Sequence, residues 1–242
     1  MTRTPQPRTV PPAGALAASV VTLVLACGAD NGIGPDLPQV PEWIRLPTES
    51  GSSVSIAVVR PETTPRGVVV AFPWGAGDAS LLLGLIDSYW DHAAPAAGYA
   101  VVGVETYGPG LDEDAASVMS AVMGWIDENF AGASGDIVMT GASAGGIGVF
   151  HAALAVPDRV GGIIAMPGRH TGEGSLASLA GTPVWMMVGE GDARWVEGSE
   201  TTAERLRDAG AEVTLEILAG QGHVLIVAQD ALVRWMEGRR TP

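Results

Sequence analysis

Three short stretches of the chain hold the residue types that acyl transfer needs. The first is Gly141-Ala-Ser143-Ala-Gly145-Gly146, set between a run that reads as a strand (136–140) and one that reads as a helix (144–156). A serine on so sharp a turn projects its Oγ from the end of a sheet, and its neighbours must be tiny for strand and helix to approach. Gly141, Ala142, Ala144, Gly145 and Gly146 all meet that demand. With 33 glycines in the chain, Gly-x-Ser-x-Gly alone is a weak signal, since a glycine-rich packing turn with a solvated serine would look the same. The strand–turn–helix setting is what selects Ser143 as a nucleophile.

A serine hydroxyl attacks poorly near neutral pH, so it needs a base, and the base needs a partner that fixes its tautomer and steadies its charged form. Of four histidines, His223 stands in Gly220-Gln-Gly-His223, just past the last expected strand and ahead of the last helix. His151 falls inside the helix after Ser143, and His92 and His170 fall in loops, where structural or surface roles suffice. The third stretch, Val188-Gly189-Glu190-Gly191-Asp192, ends another strand and offers two carboxylates. Gly189-x-x-Asp192 lets the chain turn out of the strand and present Asp192 beside the histidine loop; Glu190 is the alternative acid.

These side chains must be held by a sheet. Past residue 42, short β-branched apolar runs alternate with helical patterns, the signature of an α/β fold with helices on both faces of a mostly parallel sheet. Ser53–Val59 reads as an early antiparallel strand. The runs 67–72, 99–106, 136–140, 160–166 and 183–188 read as buried strands, and 212–217, which alternates polar and apolar residues, as one near an edge. Helices are expected over 114–130, 144–156, 199–209 and 224–237, with Gly210 ending the third in a left-handed conformation. No repeat and no long linker interrupts 53–237, which predicts a single domain over 43–242.

An acyl-transfer site also needs two backbone N–H donors for the oxyanion, one of them on the residue after the nucleophile, here Ala144. The other should come from the small-residue turn Pro73-Trp74-Gly75-Ala76-Gly77 that follows the strand 67–72. With that element order in place, the span 53–237 resembles the serine α/β-hydrolases, and Ser143, Asp192 and His223 follow their chain order. Gly141-Ala-Ser-Ala-Gly-Gly146 and Val156-Pro-Asp-Arg159 look like esterases of the polyhydroxybutyrate depolymerase, feruloyl esterase and dienelactone hydrolase type. The resemblance implies an α/β-hydrolase fold and places the second oxyanion donor at Ala76, after a Trp74-Gly75 pair that stands where such enzymes usually carry His-Gly. Trp74 could equally line the acyl pocket or pack beneath the turn.

Composition narrows the remaining options. The net charge is −14, and all 13 basic residues are Arg with no Lys, which disfavours a nucleic-acid partner and excludes lysine Schiff bases and the P-loop lysine. One cysteine permits neither an internal disulfide nor a thiolate zinc site. No metal-ligand spacing and no dinucleotide fingerprint is present, so no cofactor is expected. Arg3 and Arg8, the apolar run 13–26 and then Cys27 have the layout of a signal peptide over 1–26. Val24-Leu25-Ala26-Cys27 resembles a lipoprotein cleavage site, which implies a lipid on Cys27 and membrane attachment; ordinary signal-peptidase cleavage with freely secreted protein is the alternative. Gly- and Pro-bearing residues 27–42 read as a tether.

The expectation is therefore an exported carboxylic-ester hydrolase acting on a small-molecule or polymeric ester through an acyl-enzyme on Ser143. A peptidase of the prolyl-oligopeptidase type, a thioesterase, an acyltransferase and a silent hydrolase-fold binding protein are the rivals. Only 16 residues, 167–182, join the strands 160–166 and 183–188, too few for a helical lid, which predicts an uncovered site and short acyl chains, from acetyl to about hexanoyl.

Overall fold

The computed structural model describes residues 40–106, 111, 114–133 and 135–239. The expected signal peptide, Cys27 and nearly all of the tether lie outside the described residues. Eight strands, β1 (Glu42–Pro47), β2 (Ser53–Val59), β3 (Gly67–Phe72), β4 (Tyr99–Val104), β5 (Ile137–Gly141), β6 (Gly162–Ala165), β7 (Pro183–Gly189) and β8 (Glu212–Leu218), form one sheet in the order β1-β2-β4-β3-β5-β6-β7-β8. β1 and β2 run antiparallel, and β2 meets β4 antiparallel; every later pairing is parallel. The helices are α1 (Ala79–Tyr89), α2 (Ala93–Ala96), α3 (Ala115–Asn129), α4 (Ala144–Ala155), α5 (Ala193–Asp208) and α6 (Gln229–Gly238).

The continuous apolar strands have the burial their composition demands. Every residue of β3, β4, β5 and β6 is buried, because helices cover the sheet on both sides and alternate side chains enter separate cores. Val68, Val70, Phe72 and Met139 pack with Met119 and Ile126 of α3 and Phe150 of α4. Val69, Ala71 and Val138 pack with Leu82, Leu85 and Ile86 of α1 and Leu232 and Met236 of α6. β8 alternates exposed and half-buried positions at the far edge.

Several elements depart from the sequence-based expectation. β1 occupies residues adjoining or overlapping the expected tether; only Leu46 of its six residues is buried, so it carries little periodic signal. α1 was not foreseen, although Asp78 caps it, accepting from the Ser80 and Leu81 amides at 2.9 and 3.1 Å. α5 begins at Ala193 rather than 199, and α6 at Gln229 rather than 224, the intervening chain being used for the histidine loop. Gly210 follows α5 with φ +90° as expected.

This topology decides where a site can form. The chain leaves β3 for β4 on one side and later returns to place β5 on the other, so the connections after β3 and β5 diverge at the carboxyl ends of adjacent strands. Such a switch point opens a crevice. The register holds the strand ends level, Phe72 opposite Gly141 and Gly141 opposite Ala165. Ser143, Asp192 and His223 follow β5, β7 and β8 on this same rim.

Candidate active site

Ser143 has φ +56° and ψ −112°, a conformation that costs a non-glycine residue energy and is retained only where its surroundings enforce it. The enforcing bonds are visible. The Ser143 N–H donates to Pro167 O at 2.9 Å, and Ser143 O accepts the Ile147 N–H at 3.1 Å, opening α4. The glycines are needed for close approach. A Cβ on Gly141 would stand 2.0 Å from Gly145 O, one on Gly145 2.0 Å from Phe72 O, and one on Gly146 2.0 Å from Pro167 O. Strand, helix and two neighbouring connections thus meet backbone to backbone around the serine.

The structure brings Ser143, His223 and Asp192 into a single chain of hydrogen bonds. Ser143 Oγ lies 2.8 Å from His223 Nε2, and His223 Nδ1 lies 2.5 Å from Asp192 Oδ2. Asp192 is the more enclosed partner, with 18% of its side chain exposed against 43% for His223. Glu190 points elsewhere: its Oε2 accepts the Gly220 N–H at 3.1 Å, so of the two carboxylates Asp192 faces the imidazole and Glu190 holds the loop that carries it. The loop is tied further by Gly191 N–H to Gln221 O at 2.8 Å and Ile226 N–H to Gln221 Oε1 at 2.7 Å. Tyr89 Oη donates to Leu225 O at 2.6 Å; burial raises the Tyr89 pKa, which keeps it a donor.

In the turn after β3 the Gly77 N–H closes onto Trp74 O at 3.2 Å. Gly75, on the wall of the cavity beside Ser143, and Ala76, which follows it, are both exposed. Ala144 is the first residue of α4, where an N–H has no acceptor within its own helix. The cavity measures about 380 Å³ and is lined mainly by apolar groups, among them Trp74, Tyr89, Ala142, Met166 and Leu225, with Ser143 and His223 at its polar edge. Trp74 lines this cavity and meets Tyr89 of α1 edge to face at 6.5 Å. Trp195, which the sequence did not single out, sets its ring 5.2 Å from that of His223.

The other histidines stand apart from this chain of bonds. His92 is exposed beside Asp91, and His151 lies on α4 with its ring 5.8 Å from that of His170. His170 is buried, takes a hydrogen bond at Nδ1 from Arg205 at 3.2 Å, and has its pKa pushed down to about 4 by burial, with the Arg205 charge and His151 adding to the effect. It is a neutral structural group near pH 7. Among the described residues no set of three or more His, Cys, Asp or Glu is grouped to hold a metal ion, and no helix is long and apolar enough to cross a membrane.

A strained serine at a strand–helix turn, hydrogen-bonded to an imidazole backed by a carboxylate, can move a proton from hydroxyl to ring while the oxygen attacks a carbonyl. Comparison with known proteins agrees in kind. The model of the Esterase family, described as "Putative esterase", matches residues 59–236. The chain belongs to the Esterase family. No curated protein sequence matches it. Solved structures similar to this esterase include one from Pyrobaculum calidifontis, 19% identical over 83% of this chain and 84% of that one, with a TM-score of 0.62. Acetyl xylan esterase from Aspergillus awamori is 14% identical over 76% and 94%, TM-score 0.62. An esterase from Rhizomucor miehei is 16% identical over 85% and 84%, TM-score 0.63. At these identities the likeness establishes the α/β-hydrolase fold, and family membership supports ester hydrolysis.

Proposed function

We propose that the protein is an exported serine esterase that cleaves short-acyl carboxylic esters through an acyl-enzyme on Ser143. The observation that carries this reading is the Ser143–His223–Asp192 chain of hydrogen bonds at the mouth of an apolar cavity. Ser143 Oγ adds to the ester carbonyl as His223 Nε2 takes its proton. Asp192 accepts from Nδ1–H, which fixes the tautomer with Nε2 free and steadies the imidazolium. The oxyanion is received by the Ala144 N–H and by a backbone N–H of the turn after β3, that of Ala76 or of its neighbour Gly75 on the cavity wall. Collapse breaks the bond to the alcohol, which leaves with the proton from His223. Water, deprotonated by the same ring, then attacks the acyl-enzyme and releases the acid and Ser143.

The acyl group enters the cavity of Trp74, Tyr89, Met166 and Leu225, whose 380 Å³ lies at the small end of ligand sites. Each methylene buried there adds about 0.8 kcal/mol until the space is filled. A fluorophosphonate should label wild-type protein at Ser143 and leave Ser143→Ala unlabelled. Across p-nitrophenyl esters kcat/KM should peak between acetyl and hexanoyl; an optimum at decanoyl or beyond contradicts the short-acyl reading. Export rests on Arg3, Arg8, the apolar run and Cys27. A lipid on Cys27, lost in Cys27→Ser, is its expected signature, and a mature N-terminus beyond residue 27 would contradict the lipid while leaving secretion.

A further inference from the structure

A second cavity, also about 380 Å³, lies where the loop after β6 meets the first turns of α5, with Arg169, Thr171, Arg194, Glu197 and Gly198 on its wall. Two arginines converge here in a chain whose net charge is −14. Among the described residues neither side chain has an acidic partner. Arg169 Nε is buried without an acceptor. The position of Arg169 is built rather than incidental. Its side chain crosses α5 at Gly198, where an added Cβ would stand 2.6 Å from Arg169 Cδ. Its guanidinium lies 4.8 Å over the Trp195 ring, a cation–aromatic contact. The same indole also neighbours His223, 5.2 Å away. The two separations bound the distance from guanidinium to imidazole at about 10 Å.

The orientation of a bound ester follows from the proposed roles of Ser143 and His223. Because His223 gives its proton to the departing alkoxide, the alcohol half of the ester must sit at the imidazole, while the acyl half occupies the apolar cavity. Trp195, 5.2 Å from the imidazole, and Arg169, within about 10 Å of it, are then in reach of the alcohol, and Arg194 is exposed on the cavity wall that Arg169 lines. We infer that this is a subsite for a carboxylate on the alcohol portion of the substrate, so that the enzyme favours esters of hydroxy acids over esters of neutral alcohols. Guanidinium groups match a planar carboxylate in geometry and charge. Glu197 on the same wall offsets one of the two positive charges, leaving a site that suits one negative charge and opposes a phosphate dianion.

The test compares 4-acetoxybenzoate with its neutral counterpart 4-acetoxybenzamide, taking the ratio of their kcat/KM values. In the wild type the ratio should favour the carboxylate and fall as NaCl is raised. It should drop about five- to tenfold in Arg169→Gln and in Arg194→Gln, the range of a partly exposed charge-assisted contact. Arg169→Lys should recover part of it. Arg194 is exposed, so its replacement reads the subsite even if Arg169→Gln folds poorly. Fluorophosphonate labelling of Ser143 in the same preparations reports on the nucleophile separately. Full labelling with a ratio unchanged by either substitution overturns the carboxylate subsite and leaves the esterase reading standing. Absence of labelling in the wild type overturns the reading on which the subsite rests.

Discussion

Replacing Gly145 by Ala perturbs the site without touching any group that handles a proton. The added Cβ would stand 2.0 Å from Phe72 O, 2.5 Å from Phe72 C and 2.6 Å from Pro73 O. Close carbon–oxygen contacts in proteins lie near 3.3 Å, so the start of α4 and the end of β3 must part by about 1 Å, and both obstacles are backbone. The displaced parts are Ser143 with the Ala144 N–H on one side and the Trp74–Gly77 turn on the other, the two halves of the proposed oxyanion site. A catalytic group misplaced by about 1 Å costs on the order of a hundredfold, and loss of one oxyanion donor a hundred- to a thousandfold. Gly145→Ala should therefore lower kcat/KM on p-nitrophenyl acetate by at least about a hundredfold, with an overpacking cost of about 1–3 kcal/mol in urea unfolding. Gly124 on α3 is the control, since a Cβ there meets nothing within 4 Å. Gly124→Ala should keep wild-type activity and gain up to about 1 kcal/mol from helix propensity. Gly145→Ala retaining activity within threefold of wild type would refute the argument that the elbow's glycines exist for close approach.

Asp192→Asn should cost on the order of ten-thousandfold in kcat, the loss that a wrong imidazole tautomer brings to a Ser-His-Asp triad. Glu190→Gln, whose amide oxygen can still accept from Gly220, should cost less than about threefold; steady-state kinetics showing the reverse order would make Glu190 the acid. His170, with its folded pKa lowered to about 4, takes up protons more readily when unfolded. The stability of the neutral state is thus whole above about pH 6.5 and is lost as pH falls towards 4, by about 3 kcal/mol. Urea unfolding from pH 7.5 to 4 should show that loss in the wild type beyond whatever His170→Asn shows; parallel curves would remove His170 as the cause.

The parts of this molecule that were legible in its sequence are those where one physical demand leaves one pattern. β3 and β5 are covered on both faces, so Val68, Val69, Val70 and Ala71 or Ile137, Val138 and Met139 show as unbroken apolar runs. The elbow showed itself because an added Cβ at 141, 145 or 146 would stand 2.0 Å from a backbone oxygen, so only glycine fits there. Asp192 could be set above Glu190 from the Gly189-x-x-Asp192 turn, and the structure places it against His223. β1 was missed because an edge strand with one buried residue has no alternation to read.

The walls of the site were far less legible. Tyr89, Met166 and Leu225 come from three connections and look like ordinary core residues until the sheet assembles them, and nothing local marks Trp195 as a neighbour of His223. The choice between Gly75 and Ala76 turns on a peptide orientation within one turn, which residue types alone do not specify. The late start of α6 has a similar origin: residues 219–228 are held by Gln221, Tyr89 and Glu190 side chains rather than by helical bonds. Tertiary hydrogen bonds hold that stretch outside the helix.

The acyl-enzyme is the intermediate on which the proposed chemistry turns. Wild-type protein mixed with p-nitrophenyl acetate and quenched in acid within the first turnovers should carry one acetyl group by intact mass, mapped after digestion to the peptide containing Ser143. The adduct should be absent in Ser143→Ala and should accumulate in His223→Ala only at a strongly reduced rate. An adduct on another residue, or substrate turned over at the wild-type rate by Ser143→Ala, would contradict the assignment of Ser143 as nucleophile.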